Sequence, residues 1–129
     1  MAITKQLNIF LPNKPGQLSM LCGAFSKARI NINAISVSDT IDHGVVRLVT
    51  DKNARARTIL KKKRIAFSES PVITVKMPNT IGALAKAAGR LAQKAVNIEY
   101  LYGSTNKSGD TATIIMRVSD EKKAEAILK

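Results

Sequence analysis

The eight residues Leu11-Pro12-Asn13-Lys14-Pro15-Gly16-Gln17-Leu18 return 66 positions later as Met77-Pro78-Asn79-Thr80-Ile81-Gly82-Ala83-Leu84, with Pro12, Asn13, Gly16 and Leu18 matched by Pro78, Asn79, Gly82 and Leu84. The same displacement takes Gly23 to Gly89, Asn31 to Asn97 and Ile32 to Ile98. An internal repeat decides the architecture before any local signal does. The 129 residues therefore read as two copies of one unit, 1–70 and 71–129. Units of about 60–70 residues bury little surface alone, so each copy needs its twin or a second chain.

In the first copy, Ile3, Leu7, Ile9 and Leu11 keep the period of two that marks a half-buried strand. The Pro-Asn-Lys-Pro-Gly cluster ends it, and Pro15 suits the first position of a helix, where its missing N–H has no partner to lose. Leu18, Leu21, Cys22, Phe25 and Ala28 then fall on one helical stripe. Cys22 within that stripe reads as a small core residue. A strand over Arg29 to Asp39, a turn at Thr40-Ile41-Asp42-His43-Gly44 and a strand over Val45 to Thr50 predict an antiparallel hairpin, with His43 exposed in the turn. Asp51 has the chemistry of an N-cap for a second helix ending in Lys61-Lys62-Lys63-Arg64. Cations at a helix C-terminus match the macrodipole, so this run needs no phosphate to explain it.

The run from Arg64 to Met77 reads as two strands meeting at Pro71: Ile65–Ser70 closes the first copy and Pro71–Met77 opens the second. A helix from Ile81 carries Leu84, Ala88, Leu91 and Ala95 toward its core. Val96 to Tyr102 is a strand, Gly103 to Asp110 a loop, Thr111 to Val118 its partner strand, and Asp120 caps a last helix over Glu121 to Leu128. Counting from Asp51 to Asp120 makes the second hairpin loop three residues longer than the first. Tyr100 and Tyr102 read as packing residues. The first copy spells β-α-β-β-α-β, and the second lacks the closing strand. The fold class is α+β: two ferredoxin-like units in tandem, antiparallel sheets with helices on one face, the second unit leaving a sheet edge to be covered.

The turn is more specific than the fold. Asn13-Lys14-Pro15-Gly16-Gln17-Leu18 with Ile30-Asn31-Ile32, and Asn79-Thr80-Ile81-Gly82-Ala83-Leu84 with Val96-Asn97-Ile98, resemble the Asn-x-Pro-Gly-x-Leu turn and the following strand start of the ACT domain. The resemblance covers nearly the whole chain as a tandem pair. It departs at Ile81, where the family usually has proline, and at the missing last strand. It implies a regulatory module that pairs edge to edge or face to face and binds a free amino acid at the interface. The contacts it implies are Asn13, Pro15, Gly16, Gln17, Leu18 and Asn31 in one copy, and Asn79, Ile81, Gly82, Ala83, Leu84 and Asn97 in the other. Physical chemistry agrees with such a site. A helix N-terminus offers unpaired N–H groups to a carboxylate, the glycines admit close approach, and asparagine amides both donate and accept. The partners implied are a free amino acid, a second copy in a homodimer, and an amino-acid biosynthetic enzyme to be regulated.

Other classes fit less well. The chain has 21 Lys and Arg against 9 Asp and Glu, a net charge of +12, which raises the prior for a polyanion. Yet aromatics are 4% of the chain and tryptophan is absent, and the strands expected at the sheet centre, Val45–Thr50 and Thr111–Val118, carry no aromatic ring for base stacking. Nucleic acid is accordingly not favoured. There are no paired carboxylates in a pocket-forming motif, no metal-ligand cluster and no nucleophile–histidine pair. The expectation is a protein that is not an enzyme and holds no cofactor or metal. A single cysteine, no leader-like N-terminal stretch and no apolar run of about 18 residues point to a cytoplasmic protein off the membrane.

Overall fold

The computed structural model describes residues 2–39, 43–105 and 109–129. Among them the elements are β1 (Ala2–Pro12), α1 (Gln17–Lys27), β2 (Ile32–Asp39), β3 (His43–Thr50), α2 (Asn53–Lys62), β4 (Phe67–Pro78), α3 (Ala83–Gln93), β5 (Ile98–Thr105), β6 (Thr111–Val118) and α4 (Glu121–Leu128). They form two compact units, Lys5–Ser70 and Pro71–Lys129, the latter joined by Ala2–Thr4.

In the first unit the strand order is β2-β3-β1-β4. The β3 strand pairs antiparallel with both neighbours, setting Leu48 opposite Leu7 on one side and Ile35 on the other. Phe10 N–H donates to Ala66 O, and the Asn8 amide reaches Ser68 and Ser70, so β4 runs back along β1. This is the ferredoxin-like plan. Alternation decides the core: Leu7, Ile9, Leu11, Val46 and Leu48 meet Leu21 and Phe25 of α1 and Ala56 and Leu60 of α2. Each large side chain removed from water there contributes about 1.5–3 kcal/mol. On the other face of β1, Gln6 (0% exposed) donates from Nε2 to Asn8 Oδ1 at 2.8 Å, and Asn8 Nδ2 donates to Ser70 Oγ at 2.9 Å. Buried amides survive there because they are paired.

The second unit orders its strands β4-β6-β5. Ile73 lies opposite Met116 and Val75 opposite Ile114, and both join Met77, Leu91, Val96, Val118 and Ala124 in the core. Its missing closing strand is replaced in part by the chain's own start, since β1 neighbours β4 and Ala2–Thr4 group with this unit. The repeat extends to irregularities. The register slips between Ile32 and Ala34 and again between Ile98 and Tyr100, a bulge in the same place in each copy.

Several local expectations are corrected. The run through Pro71 is one strand, β4, of 12 residues, whose first part closes one unit and whose second opens the other. Pro71 lies inside this strand, and its carbonyl accepts from Arg117 Nη1. Asp51 does not cap α2. The N-cap is Lys52, without a side-chain cap, and the Asp51 carboxylate accepts from Asn31 N–H at 2.9 Å. Asp120 does cap α4, accepting from Lys123 N–H. Asp51 thus corresponds to Ser119, whose Oγ accepts from Asn97 N–H. The two hairpins differ by two residues, with three between β2 and β3 and five between β5 and β6. Thr40, Ile41 and Asp42 of the first turn, and residues 106–108 of the second loop, lie outside the described residues. Gly103 belongs to β5, and His43 opens β3.

The helix stripes are also narrower than expected. In α1 only Leu21 and Phe25 are buried; Cys22 is half-buried and Leu18 is exposed. In α3 only Leu91 is buried, and Ala95 is an exposed residue at φ 58. Arg29 and Arg64 take the same left-handed conformation after α1 and α2. Each closes a helix end: Ile30, Ile65 and Val96 donate N–H groups back to Phe25, Leu60 and Leu91 O, with an apolar pair across each closure.

Candidate functional site at the strand–helix turns

Both copies start their first helix from a glycine whose backbone no other residue adopts cheaply. Gly16 (φ 86) and Gly82 (φ 87) are the N-caps of α1 and α3, and neither helix has a side-chain cap or an acidic residue in its first turn. Gly16 O accepts from Met20 N–H at 3.0 Å and Gly82 O from Lys86 N–H at 2.9 Å. The second and third N–H groups of each helix, on Leu18 and Ser19 and on Leu84 and Ala85, are left without an intrahelical acceptor. Two bare, partly positive helix ends therefore face outward beside glycines that carry no Cβ.

The asparagines hold these turns in place. Asn13 Nδ2 donates to Asp39 Oδ1 at 3.0 Å, tying the turn to the end of β2. Asn79 does the same work through Gly109 O at 3.3 Å, and its N–H donates to Asp110 O. Asn31 and Asn97 are fixed through their backbones to Asp51 and Ser119, and Asn31 Nδ2 donates to Asn33 Oδ1. Their positions at the strand starts follow from that lock.

A cavity of about 370 Å³ lies against the second turn. Ile81, Gly82 and Ala83 line it, whereas Asn79, Leu84 and Asn97 do not. Ile81, standing where proline is usual, is fully solvent-exposed. The cavity adds Thr80, Lys76, Lys86 and Arg90, none of which the sequence reading singled out. Lys86 and Arg90 sit four apart on α3. That i, i+4 spacing puts both cations on one face of the helix and is legible in the sequence. Arg90 donates from Nη2 to Ile127 O, while the side-chain ammonium groups of Lys76 and Lys86 have no hydrogen bond or ion pair among the described residues. The cavity's polar chemistry is cationic and suits an anionic group. Among the described residues, no three His, Cys, Asp or Glu side chains are grouped to hold a metal ion, and no helix is long and apolar enough to cross a membrane. The two strands expected at the sheet centre, β3 and β6, are both interior and carry no aromatic ring, but β1, interior beside β3, carries Phe10, 39% exposed.

Two ferredoxin-like units in tandem, each opening its first helix from a left-handed glycine with an asparagine pinning the turn, define the class of this chain. The chain belongs to the ACT domain pair family, whose model matches residues 1–129. Protein BT0572 from Bacteroides thetaiotaomicron, a crystal structure, is similar over 98% of this chain and 86% of its own, at 33% identity and a TM-score of 0.91. The ligand-free regulatory subunit of aspartate kinase from Thermus thermophilus shares the fold over 99% of this chain and 93% of its own, at 15% identity and a TM-score of 0.69. Its counterpart from Thermus flavus does so over 98% and 91%, at 18% identity and a TM-score of 0.69. No curated protein matches the sequence.

Proposed function

We propose that this protein is a non-catalytic sensor that binds a small free amino acid at its strand–helix turns and regulates a separate amino-acid biosynthetic enzyme. The observation that carries this reading is the pair of uncapped, glycine-started helix ends. Unpaired N–H groups and the helix dipole there favour a carboxylate, and the ordered asparagines keep the donors in position before any ligand arrives. The second copy is the better-equipped site. Its cavity of about 370 Å³ is large enough to admit a free amino acid, and Lys86 and Lys76 supply further positive charge. Asn79, Leu84 and Asn97 belong to the same site in this reading, as do Asn13, Pro15, Gly16, Gln17, Leu18 and Asn31 in the first copy, each engaged when a second chain completes the pocket.

We take 1–70 and 71–129 as the two domains and a homodimer as the working form. Ile35 and Val37, 42% and 55% exposed on the edge strand β2, support pairing along that edge. Regulation then follows from population shift: a ligand that contacts one arrangement of the paired domains better than another favours it by that difference. A reducing cytoplasm suits a chain with one half-buried thiol.

The test is thermal unfolding of the purified protein against each of the twenty L-amino acids at millimolar concentration. A ligand of the folded state at a hundred times its Kd stabilises by about 2.7 kcal/mol. One amino acid, or a small chemical class, should raise Tm well above the rest. Lys86→Glu should erase at least ten-fold of that affinity while leaving the ligand-free Tm unchanged. No shift from any amino acid, or a shift indifferent to Lys86→Glu and Asn79→Ala alike, sinks the assignment.

A further inference from the structure

The two units differ most where they ought to agree. Displaced by 66 residues, Met20, Ala24 and Ala28 of the first unit correspond to Lys86, Arg90 and Lys94 of the second. One stripe down α1 is therefore apolar and small, and the same stripe down α3 is cationic. The partner helices correspond at an offset of 68, which places buried Ala56 and Leu60 on Ala124 and Leu128, and Ile59 on Ile127. In the second unit Arg90 reaches across to Ile127 O and joins the two helices. In the first unit alanine stands at the matching position, Ala24, and a groove of about 780 Å³ lies between α1 and α2. Met20, Ala24, Ala28 and Ile59 form its apolar walls, and Met20 is 38% exposed.

The charges around this groove sort into used and unused. Lys52 Nζ donates to Arg29 O, Arg55 Nη1 to Ala28 O, and Arg57 pairs with Glu69. Lys27, Lys62 and Lys63 line the groove, and their side-chain ammonium groups have no hydrogen bond or ion pair among the described residues. Among the described residues no acidic side chain lines it. From Ser19 to Ala28 the groove follows α1 and its C-cap over ten residues, about 14 Å at the helical rise. That is the footprint of two to three turns of another helix.

We propose that the groove between α1 and α2 is the docking site for an amphipathic helix of a partner protein, with apolar residues at i, i+3, i+4 and i+7 and glutamates or aspartates on its flanks. The apolar stripe of the guest enters between Met20, Ala24 and Ile59, and its acidic flanks meet Lys27, Lys62 and Lys63. A helix laid in an apolar groove with charged rims is a recurrent recognition mode, and in the second unit the corresponding stripe is cationic, with Arg90 tied to Ile127 O. The inference is independent of the cavity at the second turn, because the groove and that cavity lie in different units and share no lining residue.

The probe is a fluorescein-labelled 16-residue peptide of Leu, Ala and Glu with leucines in helical spacing, measured by anisotropy beside a scrambled peptide of identical composition. The ordered peptide should bind saturably and at least ten-fold tighter than the scrambled one. Ala24→Arg, which copies Arg90, should weaken it at least ten-fold. Gly23→Leu should do likewise; a Cβ at Gly23 meets nothing within 4 Å, so this variant folds even if the first does not. Lys27→Glu combined with Lys63→Glu should weaken binding and flatten its salt dependence. Lys86→Glu should leave peptide binding intact, and Ala24→Arg should leave any amino-acid stabilisation intact, so the two sites fail separately. Absence of binding overturns the proposal. Equal binding of both peptides, or displacement by a 16-nucleotide oligonucleotide indifferent to Ala24→Arg, makes the face a general polyanion surface instead. A change in sedimentation mass with Ala24→Arg hands the groove to a second copy of this chain.

Discussion

Helix α3 contains a three-position experiment in which the sign of φ alone sets the sign of the stability change. Gly82 begins the helix at φ 87, Gly89 lies inside it, and Ala95 follows it at φ 58. A Cβ added at Gly82 or Gly89 meets no atom within 4 Å, and Ala95 is exposed, so packing contributes nothing at any of the three. At Gly89 an alanine removes backbone freedom from the unfolded chain and has a better helix propensity, for a gain of about 0.8–1 kcal/mol. At Gly82 an L-residue is forced into the left-handed region at roughly 1–2 kcal/mol. Set against the 0.4–1 kcal/mol that a stiffer unfolded chain returns, Gly82→Ala should destabilise by about 1 kcal/mol. At Ala95 the argument runs backwards. Ala95→Gly relieves the left-handed strain, loses part of it to a freer unfolded chain, and should stabilise by about 0.5–1 kcal/mol. Each kcal/mol moves Tm by about 3–5 °C for a chain of this length, within reach of differential scanning calorimetry or urea unfolding. The first copy supplies the replicate: Gly16, Gly23 and Arg29 occupy the same three places, with φ 86 and 60 at the ends and nothing within 4 Å of a Cβ on either glycine. If Gly82→Ala proves neutral, or Ala95→Gly destabilises, the turn and the helix closure are not held by backbone conformation, and the account of both fails.

Further outcomes rest on other observations. Asn8→Ala removes the acceptor of Gln6 Nε2 and the donor to Ser68 and Ser70 in a buried cluster, and should lower the unfolding free energy by about 1–3 kcal/mol; a loss within about 0.5 kcal/mol in urea titration would show that water replaces those bonds. Gly103→Ala places a Cβ against Ile114 Cδ1 and the Thr113 carbonyl. Because the backbone oxygen cannot step aside, the strand pair should weaken by about 1–3 kcal/mol, seen as faster amide exchange along β5 and β6, and unchanged exchange rates refute the clash. Arg57→Ala breaks the ion pair to Glu69, but with the arginine side chain 36% exposed the loss should stay below about 1 kcal/mol and shrink in high salt; a larger, salt-independent loss would mean that the arginine stem is packing rather than pairing.

The repeat made much of this legible. Periods of two and of 3.6 residues lie within one element, so strands and helices can be read from neighbours in the chain, and the copy at offset 66 checks each reading. Both Asn-x-x-Gly turns, the element order and the alternation of Leu7, Ile9 and Leu11 follow from short-range pattern. What escaped the reading depends on distant partners. Whether Arg64 to Met77 is one strand or two is settled by what lies beside it: β1 along the first part and β6 along the second, and proline's local veto yields to that. Asp51 has every local mark of an N-cap, yet its carboxylate is claimed by Asn31 from twenty residues away, and the helix starts uncapped.

Departures between the copies carried the rest of the information. Ile81 for Pro15 was noticed because it lies inside the motif, whereas Arg90 for Ala24 was not, although it decides whether two helices are joined or stand apart around a groove. An internal repeat is a controlled comparison made by the chain itself. Positions that agree, such as Gly16 with Gly82 and the bulge after Ile32 with that after Ile98, are what the fold requires. Positions that disagree are where the two units are free to do different things. On the two proposals made above, the second unit, with cations gathered against its turn, holds the small anion-bearing ligand, and the first, with its cations on the rim of an apolar groove, holds the partner. A double substitution that exchanges these marks, Ala24→Arg with Arg90→Ala, should abolish peptide docking at α1 and open a groove between α3 and α4. If docking at α1 survives the exchange, the asymmetry between the two units has no functional content.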